Sequence, residues 1–386
     1  MSKKNKKIAA VTGTRADYGI YTPLLSKIQD HKDLDLGLIV TGMHLSPHYG
    51  YTIEEIKKDG YQIIGTSDIL LQGSTPGNMS RSIGLGIMSM TQILEEYKPD
   101  LILVLGDRVE MLAGSIAAAC LNIPIAHLHG GEISGSIDET IRHSISKLAH
   151  IHFPATDISA ERLMKMGEEE WRIHKTGALR LDTILNTDAP PIEAVGKKYN
   201  IEFLKSRQYY LLIYHPVTTE VNTMSDQIIN IIKVLQNLLK KPLVCILPNS
   251  DPGTEEILAV YKKIKGEDIK FITNFSSNDY LSVLKNTIAL IGNSSSGIIE
   301  AASYHIPVLN IGSRQQGREK GLNVVDAETT IPSIEKGLMK IHDQNFQEEI
   351  LKMTNLYGDG SASQRIIEVL EKMDPPKILL NKRMTY

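Results

Sequence analysis

The chain has 386 residues, 42% of them hydrophobic and 23% charged, with a formal net charge of -3. That length suits two domains better than one, the balance excludes a disordered chain, and the slightly acidic sum argues against a nucleic-acid partner. Cys120 and Cys245, the two cysteines, sit in apolar stretches and read as reduced core residues, which fits a cytoplasmic protein better than a disulfide does.

The basic start Lys3-Lys4-Asn5-Lys6-Lys7 reads as a solvated end. The apolar stretch behind it stops at Gly13, too short for a signal peptide or a membrane span. Ile8–Val11, Leu36–Val40, Leu101–Leu105, Ile125–Leu128 and Ile151–Phe153 read as buried strands, most of them followed by a helical pattern. Continuous apolar strands separated by helices predict a parallel sheet covered on both faces. Asn186-Thr187-Asp188-Ala189-Pro190-Pro191 breaks the rhythm with turn formers and reads as a linker. Strands then resume at Tyr210–Tyr214, Leu243–Leu247, Ile269–Ile272, Ile288–Ile291 and Val308–Ile311, with helices over 221–240 and 278–286. A last helix over Ser361–Met373 meets Pro375-Pro376. The expected organisation is a doubly wound α/β domain over 1–187, a second over 188–372, a tail over 373–386, and a ligand cleft between the two domains.

Ligands of open parallel sheets sit at the carboxyl ends of the strands, so residues just past each strand are the candidates. Thr12-Gly13-Thr14-Arg15-Ala16-Asp17-Tyr18-Gly19 opens a helix directly after the first strand. Arg15 offers a fork for phosphate or carboxylate there; a plain turn with Arg15 and Asp17 paired is the alternative. The segment is not Gly-x-Gly-x-x-Gly, which lowers the weight on NAD. Gly106-Asp107-Arg108 ends the most apolar strand, where a charged pair faces a ligand or is a costly burial. His127-Leu128-His129-Gly130-Gly131-Glu132 follows, with Asp138, Arg142 and His143 beyond it. His127 and His129 are expected to project to the same side of a strand, so a metal site enters consideration; no cysteine or His-Glu-x-x-His partner supports it, and acid-base work by Glu132 and Asp138 fits better. His127 is equally explained as a structural histidine, and His150 and His152 read as structural. His215-Pro216 stops a strand and leaves His215 at its mouth, for phosphate contact or for capping the next helix. Gly292-Asn293-Ser294-Ser295-Ser296-Gly297 offers hydroxyls and N–H groups suited to a diphosphate, with Glu300 one turn on to accept from ribose hydroxyls and Arg314 past the next strand. Neither Gly-x-Ser-x-Gly nor the P-loop pattern occurs.

Together these segments resemble the UDP-N-acetylglucosamine 2-epimerase family, in particular its hydrolysing branch that feeds sialic acid biosynthesis. The resemblance runs from Val11 to about Val325, carried by the Arg15-Ala16-Asp17-Tyr18 turn, Gly106-Asp107-Arg108, Ile141-Arg142-His143, His215-Pro216-Val217-Thr218-Thr219, Gly292 to Glu300, and Gly312-Ser313-Arg314-Gln315. It implies two Rossmann-like doubly wound domains in a glycosyltransferase-B-like arrangement, with no metal or NAD and a homodimer or homotetramer. It implies that Ser294, Ser295 and Arg314 bind the diphosphate of a UDP-sugar, Glu300 the ribose and His215 the phosphate region, while Arg15, Asp107 and Asp138 face the sugar. The non-hydrolysing relatives carry Arg-Pro-Glu where this chain has Arg15-Ala16-Asp17, which favours the hydrolysing branch. The implied reaction removes the C2 proton, expels UDP to leave a 2-acetamidoglucal, and adds water with inversion at C2, giving N-acetylmannosamine from UDP-N-acetylglucosamine. Several members read His-x-Glu-Gly-Gly, so His129 stands where a catalytic glutamate is expected, and His129, Glu132 or Asp138 takes over proton transfer. A 2,4-diacetamido-2,4,6-trideoxy sugar is the rival substrate. A glycosyltransferase of the same fold and a non-catalytic sugar-nucleotide-binding module are the rival functions.

Overall fold

The computed structural model describes residues 5–71, 76–133, 137–217, 220–248, 253–264, 266 and 268–386. The chain forms two compact units, Met1–Thr183 with Tyr357–Tyr386, and Ile184–Leu356.

The first unit holds a six-stranded sheet of β1 (Lys6–Thr12), β2 (Leu34–Thr41), β3 (Ile63–Ser67), β4 (Leu101–Leu105), β5 (Ile125–Leu128) and β6 (Ile151–Phe153), in the order β3-β2-β1-β4-β5-β6. All its pairings are parallel, with Ile8 of β1 opposite Leu36 on one side and Leu101 on the other. The strands are apolar throughout because both faces are covered. Ile8, Ala10, Leu38, Leu101 and Leu103 enter one core, while Ala9, Val11, Ile39, Ile102 and Val104 enter the other. Each fully buried Leu, Ile or Val adds roughly 1.5–3 kcal/mol, so β1 and β4 fix the centre of the sheet.

The second unit repeats the design with β7 (Tyr210–Ile213), β8 (Leu243–Ile246), β9 (Ile269–Ile272), β10 (Leu290–Gly292), β11 (Val308–Ile311) and β12 (Val324–Ala327). Its order is β12-β11-β10-β7-β8-β9, again all parallel. Each sheet reverses its direction of growth once, between β1 and β4 and between β7 and β10. These are the switch points where doubly wound sheets open a crevice for a ligand. The fold class is the one expected from sequence: α/β, with two Rossmann-like sheets of the glycosyltransferase-B-like kind.

Two strands are additional to the sequence reading, β3 and β12. Both are edge strands with half-exposed residues, so neither carries the unbroken apolar run that marks the central ones.

The end of the chain departs from expectation. Residues up to 372 were expected in the second domain, yet Tyr357–Tyr386 belongs to the first unit. Ala362, Ile366, Ile367 and Leu370, on the helix Ala362–Lys372, enter the core that lies over β1 and β2. Asp182 accepts from the backbone N–H of Ala362 and Ser363 at 2.8 and 2.7 Å, capping that helix. Among the described residues no helix is long and apolar enough to cross a membrane.

Candidate functional site

In the first unit the switch point gathers the ends of β1, β2 and β4. Thr14 caps the helix Arg15–Gln29, and the buried Asp17 closes a capping box. Asp17 accepts from Thr12 Oγ1, from Thr14 Oγ1 at 2.8 Å and from the Thr14 N–H at 2.8 Å. Burial nevertheless pushes its carboxyl up to about 6. Because the Thr12 hydroxyl donates to Asp17, its oxygen accepts from His44 Nε2 at 3.0 Å, and His44 Nδ1 accepts from Thr52 Oγ1 at 2.7 Å. Burial lowers His44 to about 4. Arg15 does not pair with Asp17. It lies three-quarters exposed and 3.3 Å from Glu55, so its fork is available to an anion only by leaving a solvent-screened partner. Glu110 is buried and binds Arg108 through two hydrogen bonds of 3.1 and 2.8 Å. Gly42, at φ +58, leaves the space Glu110 needs, because a Cβ there would lie 2.6 Å from Glu110 Oε1.

The ends of β4 and β5 carry a continuous chain of charge. Asp107 pairs with Arg142 on the helix Ile137–Leu148, Arg142 reaches Glu132 at 3.4 Å, and Glu132 lies 2.7 Å from His129 Nδ1. Arg142 is 5% exposed and Glu132 12%, so these charges are held largely away from water and each depends on its partner. Asp138 is exposed in the first turn of the same helix, four residues before Arg142 and so on the same face. Ser134, Gly135 and Ser136 lie outside the described residues.

The two histidines of β5 part company. His127 is wholly buried, with Nε2 donating to Gly106 O at 2.7 Å and Nδ1 accepting from Ser146 Oγ at 3.0 Å. Burial lowers it to about 3, and it serves as a brace for the turn that presents Asp107. His129 does not share its face, contrary to expectation. The strand ends at Leu128, and His129 takes a left-handed backbone with φ +61, which turns it out of the strand and away from the face that His127 occupies. His150 and His152 are structural: His150 Nδ1 accepts from the Ile125 N–H, and His152 pairs with the buried Glu168 at 3.0 Å.

At the switch point of the second unit the connection is made by amides. Asn293 accepts from the His215 N–H at 2.7 Å and donates to His215 O at 2.8 Å, joining the ends of β7 and β10. Its own carbonyl accepts from Arg314 at 3.1 Å and Gln315 at 2.8 Å. Gly292 is obligatory here, because at φ +127 any Cβ would lie 2.0 Å from Ile213 O. Ser294 caps the short helix Ser295–Ile299, and Ser296 donates to the buried Glu300 at 3.0 Å. His215, Ser294, Ser295, Glu300 and Arg314 are thus gathered around one strand-end turn. Of the His215-Pro216 segment, Thr218 and Thr219 lie outside the described residues.

The sequence reading did not single out His44 or Glu110, nor Asn293 as the joint. The rule that found the other candidates applies to His44, three residues past β2. Glu110 and Asn293 act through contacts across the sheet, for which a linear sequence carries no periodic signal.

Comparison with known proteins now identifies this arrangement. A family described as UDP-N-acetylglucosamine 2-epimerase matches residues 26–371. The chain is 40% identical, over 99% of its length and 100% of the relative's, to UDP-N,N'-diacetylbacillosamine 2-epimerase (hydrolyzing) of Legionella pneumophila. It is 36% identical, over 96% of each chain, to GDP/UDP-N,N'-diacetylbacillosamine 2-epimerase (hydrolyzing) of Campylobacter jejuni, and 36% identical, over 84% of each, to UDP-N-acetylglucosamine 2-epimerase of Neisseria meningitidis. The crystal structure of a Neisseria meningitidis UDP-GlcNAc 2-epimerase bound to UDP-GlcNAc shares the fold, at 19% identity and a TM-score of 0.78 over 95% of this chain and 100% of that one. The chain belongs to the UDP-N-acetylglucosamine 2-epimerase family, in the hydrolysing branch, whose enzymes act on UDP-sugars.

Proposed function

We propose that the enzyme takes UDP-2,4-diacetamido-2,4,6-trideoxyglucose and water to UDP and the C2-inverted free sugar. The observation that carries the chemistry is the Asp107–Arg142–Glu132–His129 chain at the ends of β4 and β5. It sets several proton-handling groups side by side, largely out of water, as removal of a weakly acidic C2 proton requires. The choice of sugar is supported by the relatives of Legionella and Campylobacter, both named for the diacetamido sugar. UDP-N-acetylglucosamine, giving N-acetylmannosamine, is the second reading, favoured by the Neisseria relative.

The reaction divides into elimination and hydration. In the first step the C2–H electrons form the C1=C2 bond and the C1–O bond breaks toward the β-phosphate of UDP. Arg314, His215 and the Ser294–Ser295 turn offer the positive charge and N–H or O–H donors that a departing diphosphate needs, and Glu300 suits ribose hydroxyls. In the second step water adds hydroxyl to C1 and an acid delivers a proton to C2 on the opposite face. Asp107 and Asp138 are the carboxylates we assign to the sugar. The product enters sialic acid-type biosynthesis in the cytoplasm, and the enzyme works as a homodimer or homotetramer, which light scattering tests.

NMR of the purified enzyme with each UDP-sugar in D2O, without any acceptor, decides the matter. The expected result is free UDP plus a C2-inverted sugar carrying deuterium at C2, faster from the diacetamido substrate. Faster turnover of UDP-N-acetylglucosamine would transfer the assignment to the second reading. Retention at C2, or transfer only with an added acceptor, would exclude both.

A further inference from the structure

His129 is held at one ring nitrogen and bare at the other. Nδ1 lies 2.7 Å from a Glu132 carboxylate oxygen, so Nδ1 carries the hydrogen and Nε2 presents a lone pair. Nε2 is buried, and among the described residues it has no hydrogen-bond partner. A buried polar atom left open is uncommon and asks for a role.

The surroundings fix this ring in place. The His129 N–H donates to Phe153 O at 3.0 Å while φ stands at +61, a backbone conformation that costs a histidine about 1–2 kcal/mol. Glu132 is itself held by Arg142, which also binds Asp107. His127 on β5 is a further titratable group that interacts with this ring, and His152 on β6 interacts in turn with His127. His127 is kept neutral by burial, and His152, also lowered by burial, is paired with Glu168. An imidazole with a carboxylate on Nδ1 and an open Nε2 is the arrangement of an oriented general base.

We propose that His129 Nε2 is the base that removes the C2 proton, and that Glu132 positions the ring and stabilises the imidazolium that forms. The inference rests on the epimerase reading and assigns the step that reading leaves open. His129 takes the proton as the C1=C2 bond forms and UDP leaves with the C1–O electrons. The imidazolium then returns that proton to solvent, so the hydrogen that arrives at C2 during hydration comes from a different acid. The glutamate that the family resemblance led us to expect here is replaced by a histidine with its own carboxylate behind it.

The test compares the wild type with His129→Asn, His129→Glu and Glu132→Gln, using turnover of both UDP-sugars, UDP binding by calorimetry and the pH profile of kcat. Asparagine accepts the left-handed backbone, so His129→Asn keeps the fold while removing the base. The expected result is a kcat lower by about 10²–10⁴-fold with UDP affinity unchanged. His129→Glu should recover part of that loss with the acidic limb of the profile moved to lower pH, and Glu132→Gln should reduce kcat by about 10–100-fold, as loss of an orienting partner does. His129→Asn turnover within threefold of wild type, or UDP affinity lost in proportion to kcat, would overturn the assignment. Wild-type enzyme that releases UDP from neither sugar would instead remove the epimerase reading and this step with it.

Discussion

The two switch points share one topology and differ in chemistry. At the ends of β1, β4 and β5 the side chains are titratable and joined by charge: Asp17, Glu110 with Arg108, and the chain from Asp107 to His129. At the ends of β7 and β10 they are amides and hydroxyls around Asn293, with Arg314 contributing the positive charge and Glu300 tied to Ser296. The same scaffold therefore supplies two kinds of strand-end crevice. One concentrates ionisable side chains, and the other presents amides and hydroxyls beside the Arg314 guanidinium, a set suited to an anion.

The largest effect should come from the charged region. Asp107→Asn is expected to lower kcat by about 10²–10⁴-fold, because it removes a carboxylate assigned to the sugar and leaves Arg142 without its nearest anion. UDP release followed by NMR measures it, and near-wild-type turnover would end the claim that this switch point is the reactive one. Asn293→Ala comes next. It removes both side-chain hydrogen bonds to the His215 backbone, at about 1–3 kcal/mol for the buried groups left unmatched, and should weaken UDP binding more than it alters the pH profile of kcat. If calorimetry shows UDP affinity unchanged, the amide region is not the diphosphate site.

The comparison also predicts where pH acts on stability. His127 titrates at about 3 in the folded protein, below the 6.5 usual for an unfolded histidine. The folded state therefore binds fewer protons than the unfolded one between these values. The stabilisation due to the neutral ring is present above about 6.5 and is lost as pH falls toward 3. Urea midpoints at pH 7 and 4.5 should fall further for the wild type than for His127→Gln, by the equivalent of about 2 kcal/mol. Asp17 opposes this, since its raised carboxyl adds stability at low pH that is lost as pH rises from about 4 to about 6. Equal pH dependence in wild type and variant would mean that His127 does not brace the Gly106 turn as a neutral ring. The smallest effect belongs to Glu55→Gln, which breaks the exposed pair with Arg15. Thermal unfolding should change by no more than about 0.5 kcal/mol, and a larger loss would show that Arg15 is structurally anchored rather than available.

Much of this was legible in the sequence. The central strands are unbroken apolar runs, and the positions past them named Arg15, Asp107, His129, His215 and Ser294 without any coordinates. The edge strands β3 and β12 were not legible, because half-exposed residues such as Ile63 and Val324 carry no distinctive pattern. Nor was the left-handed turn at His129, since nothing in Leu128-His129-Gly130 says which residue takes the positive φ. The helix Ala362–Lys372 was read correctly as a helix but assigned to the wrong unit, because its apolar stripe shows that it packs and not against what.

That last segment bears on how the molecule is made. The chain leaves the first unit at Thr183 and re-enters it at Tyr357, so during synthesis the second unit emerges whole while the first still lacks Ile366, Ile367, Leu370 and Leu379 of its core. At about 5–20 residues per second, the nascent first sheet waits many seconds with part of its apolar surface uncovered. The unit that begins first finishes last, and a ribosome stalled before Tyr357 would release a chain with one mature domain and one that a chaperone would hold.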